Sequence, residues 1–255
     1  MTLLDAIIRK IVKKADATTL SAIVTTLRRV IKADGAVGPR ATSAGAVLRL
    51  LRDPQRLRPL VEKALGGPEE PTAAMVHVLV EPQAASAQAL IDGRLRHASP
   101  AARACFVKIM RAIGPASLAP LMMALRGCLD RGELDGPVVD DLLRSIPPGP
   151  SDAAGSVVAE FLRSGSADTS GVALFALAGL WGERARPLLL RVLNHVGPGV
   201  VVGAIMGLRA IRAIDTHAVA RLDAVLSGNA TMTEAARTAA ATALAETRGT
   251  RPRRS

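Results

Sequence analysis

Few residues in this chain have the type and spacing that chemistry needs. His77, His97, His195 and His217 lie 20 or more residues apart, so no two form a local metal-ligand pair. There is no H-E-x-x-H, no C-x-x-C and no Gly-Lys of a phosphate loop. The stretch Gly197 to Gly203, GPGVVVG, has part of a dinucleotide-type glycine pattern. It lacks a preceding strand and the final glycine spacing, and it reads as an inter-helix turn. Lys32 to Gly38, KADGAVG, offers one carboxylate where a calcium loop needs several, and reads as a helix stop. No catalytic residue, metal or cofactor is therefore expected, and the role expected is non-enzymatic.

What remains is charge. The formal net charge is +11, unevenly spread, with Arg outnumbering Lys 27 to 6. Residues 1–63 hold 13 Lys/Arg against 5 Asp/Glu, and residues 247–255 hold four Arg and no acid. The stretch between is close to neutral, with 16 basic and 17 acidic residues. Arg9, Lys10, Lys13 and Lys14, then Arg28, Arg29 and Lys32, fall on two successive amphipathic patterns. Such clusters suit nucleic acid, anionic lipid or an acidic protein. They equally suit a solvated helix face, which is the commoner use of a charge run. The tail has almost nothing to bury and is expected to be disordered over 248–255.

The elements that would carry these residues are helical. There is no Tyr, aromatic residues make up 2% of the chain, and Ala, Leu and Arg dominate. That composition disfavours strands and favours helices. Cys105, Phe106, Ile109, Met110 and Ile113 form one buried stripe over Pro100 to Ile113. Gly114-Pro115 then stops one helix and opens another, apolar at Leu118, Leu121, Met122 and Leu125 and closing at Gly127. Pro120 and Pro187 fall in first turns, where a missing N–H costs least. Trp181, Phe106, Phe161 and Phe175 fall on apolar stripes and are expected in the core. Cys105 and Cys128 lie in or beside apolar helices, which fits a reducing, cytoplasmic compartment better than a disulfide framework. No run of about 18 apolar residues is free of charge or a Gly/Pro break, so no membrane span is expected. The N-terminus has an early Asp5 and no small-residue cleavage site, and does not read as a signal peptide.

The hairpin repeats. Leu121 and Leu125 follow Gly114 by 7 and 11 residues, as Leu189 and Leu193 follow Gly182 and Leu222 and Leu226 follow Asp215. The markers are 68 and 33 residues apart, a period in the low thirties. Asp16, with Ile23 and Leu27, shares the phase. Less regular hairpins fit around Asp53-Pro54, Glu81-Pro82 and Ile146-Pro147-Pro148, and a last helix fits Met232 to Thr247. The pattern predicts an all-α, right-handed α-solenoid of about seven helix hairpins. One domain is expected over 1–247, with basic N-terminal repeats over 1–66 and an irregular repeat or hinge over 126–155.

The units IGPASLAPLMMALRG, WGERARPLLLRVLNH and IDTHAVARLDAVLSGNATMTEAARTAAATALAET resemble HEAT and HEAT-like repeats of the bacterial type. The resemblance covers roughly Ser99 to Thr247 and implies a fold far more than an activity. It implies a scaffold or adaptor that holds a protein partner on a concave surface lined by second helices. Exposed candidates by phase are Arg28, Arg29, Lys32, Arg56, Arg58, Arg94, Arg186, Arg191 and Arg221, with Arg9, Lys10, Lys13 and Lys14 as a patch for an anionic partner. The alternative is nucleic-acid binding through the basic ends. A third reading comes from the HEAT-like alkylpurine DNA glycosylases, which the chain resembles in length and charge. Their chemistry uses aromatic side chains that this chain largely lacks.

Overall fold

The computed structural model describes residues 17–34, 61, 87–88, 90–91, 95, 98–194, 197–227 and 233–249. All regular structure among them is helical, with no strand. The chain divides into two compact units, Met1–Leu121 and Met122–Ser255.

In the first unit, α1 spans Ala17–Asp34 and buries Val24, with Ile23 and Leu27 half-buried. The stop expected at Lys32 to Gly38 lies, beyond Asp34, outside the described residues. Helix α2 spans Pro100–Ile113, as its sequence dictates. The Ser99 hydroxyl accepts from the Ala102 N–H at 3.2 Å, and Pro100 opens the first turn. The five stripe residues from Cys105 to Ile113 are buried. A 3-10 turn, Gly114–Ser117, follows, with Gly114 at φ 71°, ψ −143°, a region open essentially only to glycine.

Helix α3, Leu118–Asp130, runs through Gly127 instead of closing there. Leu121, Leu125 and Cys128, at i, i+4 and i+7, are all buried, so the apolar stripe continues past the glycine. The stop is at Gly132, φ 71°. Its N–H donates to the Leu129 carbonyl and the Glu133 N–H to that of Cys128, the paired bonds of a Schellman end. Among the described residues one run, Pro100–Asp130, has the length and mean hydropathy (1.3) of a membrane-crossing helix. The 3-10 turn breaks it into halves of 14 and 13 residues, each short of the roughly 20 that a span takes.

The second unit contains α4 (Pro137–Arg144), α5 (Asp152–Ser164), α6 (Ala167–Trp181), α7 (Arg186–Val192), α8 (Pro198–Ala210), α9 (Thr216–Ser227) and α10 (Glu234–Gly249). The last helix lies two residues later at each end than the periodicity predicts. Helices α6, α8 and α10 pack in series, while α4 and α5 lie on α6, α7 on α8, and α9 on α10. The irregular stretch before α5 is tied to α6. The Gly149 and Ser151 N–H groups donate to the carbonyls of Gly179 and Leu180. The Thr169 hydroxyl donates to Asp140 Oδ1 at 2.8 Å.

The stretch Gly197 to Gly203 is not the inter-helix turn expected from its glycines. Only Gly197 lies outside α8, as its N-cap. Gly199, Gly203 and Gly207 recur every four residues along the helix. A Cβ added at Gly203 would meet the Gly171 carbonyl oxygen of α6 at 2.0 Å, and one at Gly171 would meet that of Gly199 at 2.1 Å. The glycines are there because the two backbones touch. Each mid-helix glycine costs about 1 kcal/mol of helix propensity, and the close crossing offsets that cost. Around it Leu174, Ala178, Leu189, Leu193, Val201, Ala204, Ile205, Leu208 and Leu222 form one buried cluster.

Trp181 is half-buried against that cluster rather than enclosed by it. Its indole lies where a Gly155 Cβ would be, 2.1 Å from Nε1. Phe106 and Phe161 are fully buried, but Phe175 is half-buried.

Candidate functional site

Two short helices carry the site. Helix α7 begins at Arg186-Pro187, where proline pre-sets the first turn, and buries Leu189 and Leu190. Helix α9 begins after Asp215, whose Oδ1 accepts from the Ala218 N–H at 2.9 Å. The third repeat marker thus differs from Gly114 and Gly182. Asp215 starts a helix, and the preceding helix is stopped by Arg212 at φ 55°. The Arg212 and Ala213 N–H groups donate to the Arg209 and Leu208 carbonyls, a second Schellman end with a side chain in the glycine position.

Between α7 and α9 lies a recess of about 450 Å³, lined by Arg186, Pro187, Leu190, Arg191, Asn194, His217 and Arg221. Arg221 Nη1 donates to the Leu190 carbonyl at 3.1 Å, and its Nε lies 3.4 Å from His217 Nε2. Two contacts therefore fix the plane of the Arg221 guanidinium. Arg186 pairs with Asp215. The Ala218 N–H above all holds the Asp215 carboxyl below the usual aspartate range; desolvation, the next largest effect, opposes it, and the Arg186 charge and the His217 N–H add to the lowering. Arg191 is exposed in the last turn of α7. Three guanidiniums and one adjacent carboxylate give the recess a net charge of +2.

The three arginines belong to the set that helical phase placed on exposed second-helix faces; the structure brings them together, with Arg191 exposed as expected but Arg186 and Arg221 half-buried. The sequence reading missed Asn194, and it considered His217 as a metal ligand without a local partner. No sequence signal pointed to His217, because the marker spacing of 33 carries Arg186 onto Val219. Of the other candidates, Arg29 and Lys32 are exposed on α1. Arg9, Lys10, Lys13, Lys14, Arg56, Arg58, Arg94 and the side chain of Arg28 lie outside the described residues, as does His195.

Polar ties at similar sequence separation recur along the second unit. Arg184 pairs with Asp152 across 32 residues, where the Arg184 hydrogen bonds and charge hold the Asp152 carboxyl below its usual range. Arg209 pairs with Glu246 across 37 residues. No group of His, Cys, Asp and Glu among the described residues could hold a metal ion. Comparison with protein-family models, curated proteins and solved structures gives no match.

Proposed function

We propose that the protein is a non-enzymatic scaffold of HEAT-like hairpins that holds a protein partner along the edge formed by its second helices. The observation that carries this reading is the meeting of Arg186, Arg191 and Arg221, from two consecutive second helices, around one solvent-open recess. Helices α6, α8 and α10 packed in series, with α7 and α9 laid against them, support a solenoid of stacked hairpins. So do cross-links whose separations cluster near the repeat length. A stacked array offers a preformed surface, so little ordering entropy opposes binding. Affinity purification from the native host compares the parent chain with Arg191→Glu. One protein retained by the parent and lost by the variant supports the scaffold. The same proteins recovered with both contradict it.

A second reading, nucleic-acid binding, draws on Arg29 and Lys32, exposed and three residues apart on α1. It requires duplex DNA affinity that falls log-linearly with salt. Changing Arg28, Arg29 and Lys32 together should then lower the slope by about two to three.

A further inference from the structure

Resting on the scaffold reading, we propose that the α7–α9 recess binds a phosphorylated side chain of the partner protein. Charge is the first argument. With the adjacent Asp215 counted, the recess carries a net +2, which a phosphate monoester dianion neutralises and a single carboxylate does not. The donors are guanidiniums, whose planar fork matches a phosphate face with two parallel N–H···O bonds. The second argument is preorganisation. Arg221 is held by the Leu190 carbonyl and set beside His217, so its plane is fixed before a ligand arrives. Exposed Arg191 stands across the same recess, able to close on a phosphate from the solvent side. Size is the third. About 450 Å³ far exceeds a bare phosphate ion. Pro187 and Leu190 offer apolar surface and Asn194 an amide, which suits the peptide that carries the phosphate.

The test is fluorescence anisotropy with the full chain. The probes are nine-residue peptides, degenerate at eight positions, whose central residue is phosphoserine, serine or glutamate. The phosphoserine set should bind more than tenfold tighter than the serine set. Arg191→Ala should lose about tenfold, the effect of one charge-assisted contact, and Arg191→Lys should recover only part of it. Arg191→Ala should melt with the parent, because the side chain is exposed. If it does not, Asn194→Ala serves as the second variant, with a loss of several-fold expected. Equal affinity for the phosphoserine and serine sets overturns the proposal. So does a glutamate set that binds as tightly as phosphoserine, which would make the recess a site for acidic segments. Unchanged affinity in the variants overturns it as well. The scaffold reading fails separately. A partner retained equally after phosphatase treatment removes the phosphate and leaves the scaffold. Tight phosphoserine binding with no protein retained from the host removes the scaffold and leaves the site.

Discussion

The α6–α8 crossing and the α7–α9 recess are neighbours in sequence but are built on opposite principles. At the crossing, backbone meets backbone through Gly171, Gly199 and Gly203, and no side chain can be added without moving a helix. At the recess, the helices are bridged by side chains, through Arg186 to Asp215 and Arg221 to the Leu190 carbonyl. The partly exposed Arg186–Asp215 pair contributes little to stability, typically below about 1 kcal/mol, and a single hydrogen bond to a carbonyl adds on the order of 1 kcal/mol. The crossing therefore carries the fold and tolerates no change. The recess is free to carry specific charges because the fold does not depend on them.

The sharpest way to break this contrast is Gly203→Val. Its Cβ would fall 2.0 Å from a carbonyl oxygen that cannot move aside, so a loss of about 3 kcal/mol or more is expected in a denaturant titration. A variant as stable as the parent would show that the helices do not touch there. A paired substitution on α6 sharpens the point. Gly171→Ala meets the Gly199 carbonyl and should destabilise by about 2 kcal/mol. Gly179→Ala meets only Pro148, at an ordinary 3.6 Å, and should stabilise by about 0.5–1 kcal/mol through helix propensity. Opposite signs for one substitution on one helix are expected by thermal melting.

A smaller gain is expected from Arg212→Gly. Arg212 has φ 55° at a Schellman end, where glycine carries no strain, so about 1 kcal/mol should be recovered. The smallest effect is acid dependence. The Asp215 carboxyl is held below its usual range, so its contribution is present above the ordinary aspartate value of about 3.9. It is lost as pH falls through the lowered folded value. Asp215→Asn should therefore narrow its melting gap from the parent between pH 5 and pH 3. A gap that widened would reverse the assigned sign.

Much of the fold was legible because local signals agree. At α2, the Ser99 cap, Pro100 and a five-residue stripe point to one answer, and the helix forms as read. Gly127 and the glycines of 197–203 were misread for a shared reason. A glycine signals either a turn or a close approach, and sequence alone does not reveal the partner helix that decides. At Gly127 the buried Cys128 one position later was the clue that the stripe continued. At the recess, helical phase singled out Arg186, Arg191 and Arg221 individually as surface candidates. Their convergence depends on which residues of consecutive hairpins face each other, here pairs 29 and 31 residues apart, and the marker spacing of 33 does not reveal that.

The proposed division between a rigid crossing and a recess that binds a partner is tested most directly by one variant, Arg191→Glu, measured in two ways. The expected result is a stability within about 0.5 kcal/mol of the parent, together with loss of the partner recovered from the host, both read on the same preparation. Full retention of that partner, or unfolding of the variant, would contradict the assignment of binding to the recess and of stability to the crossing.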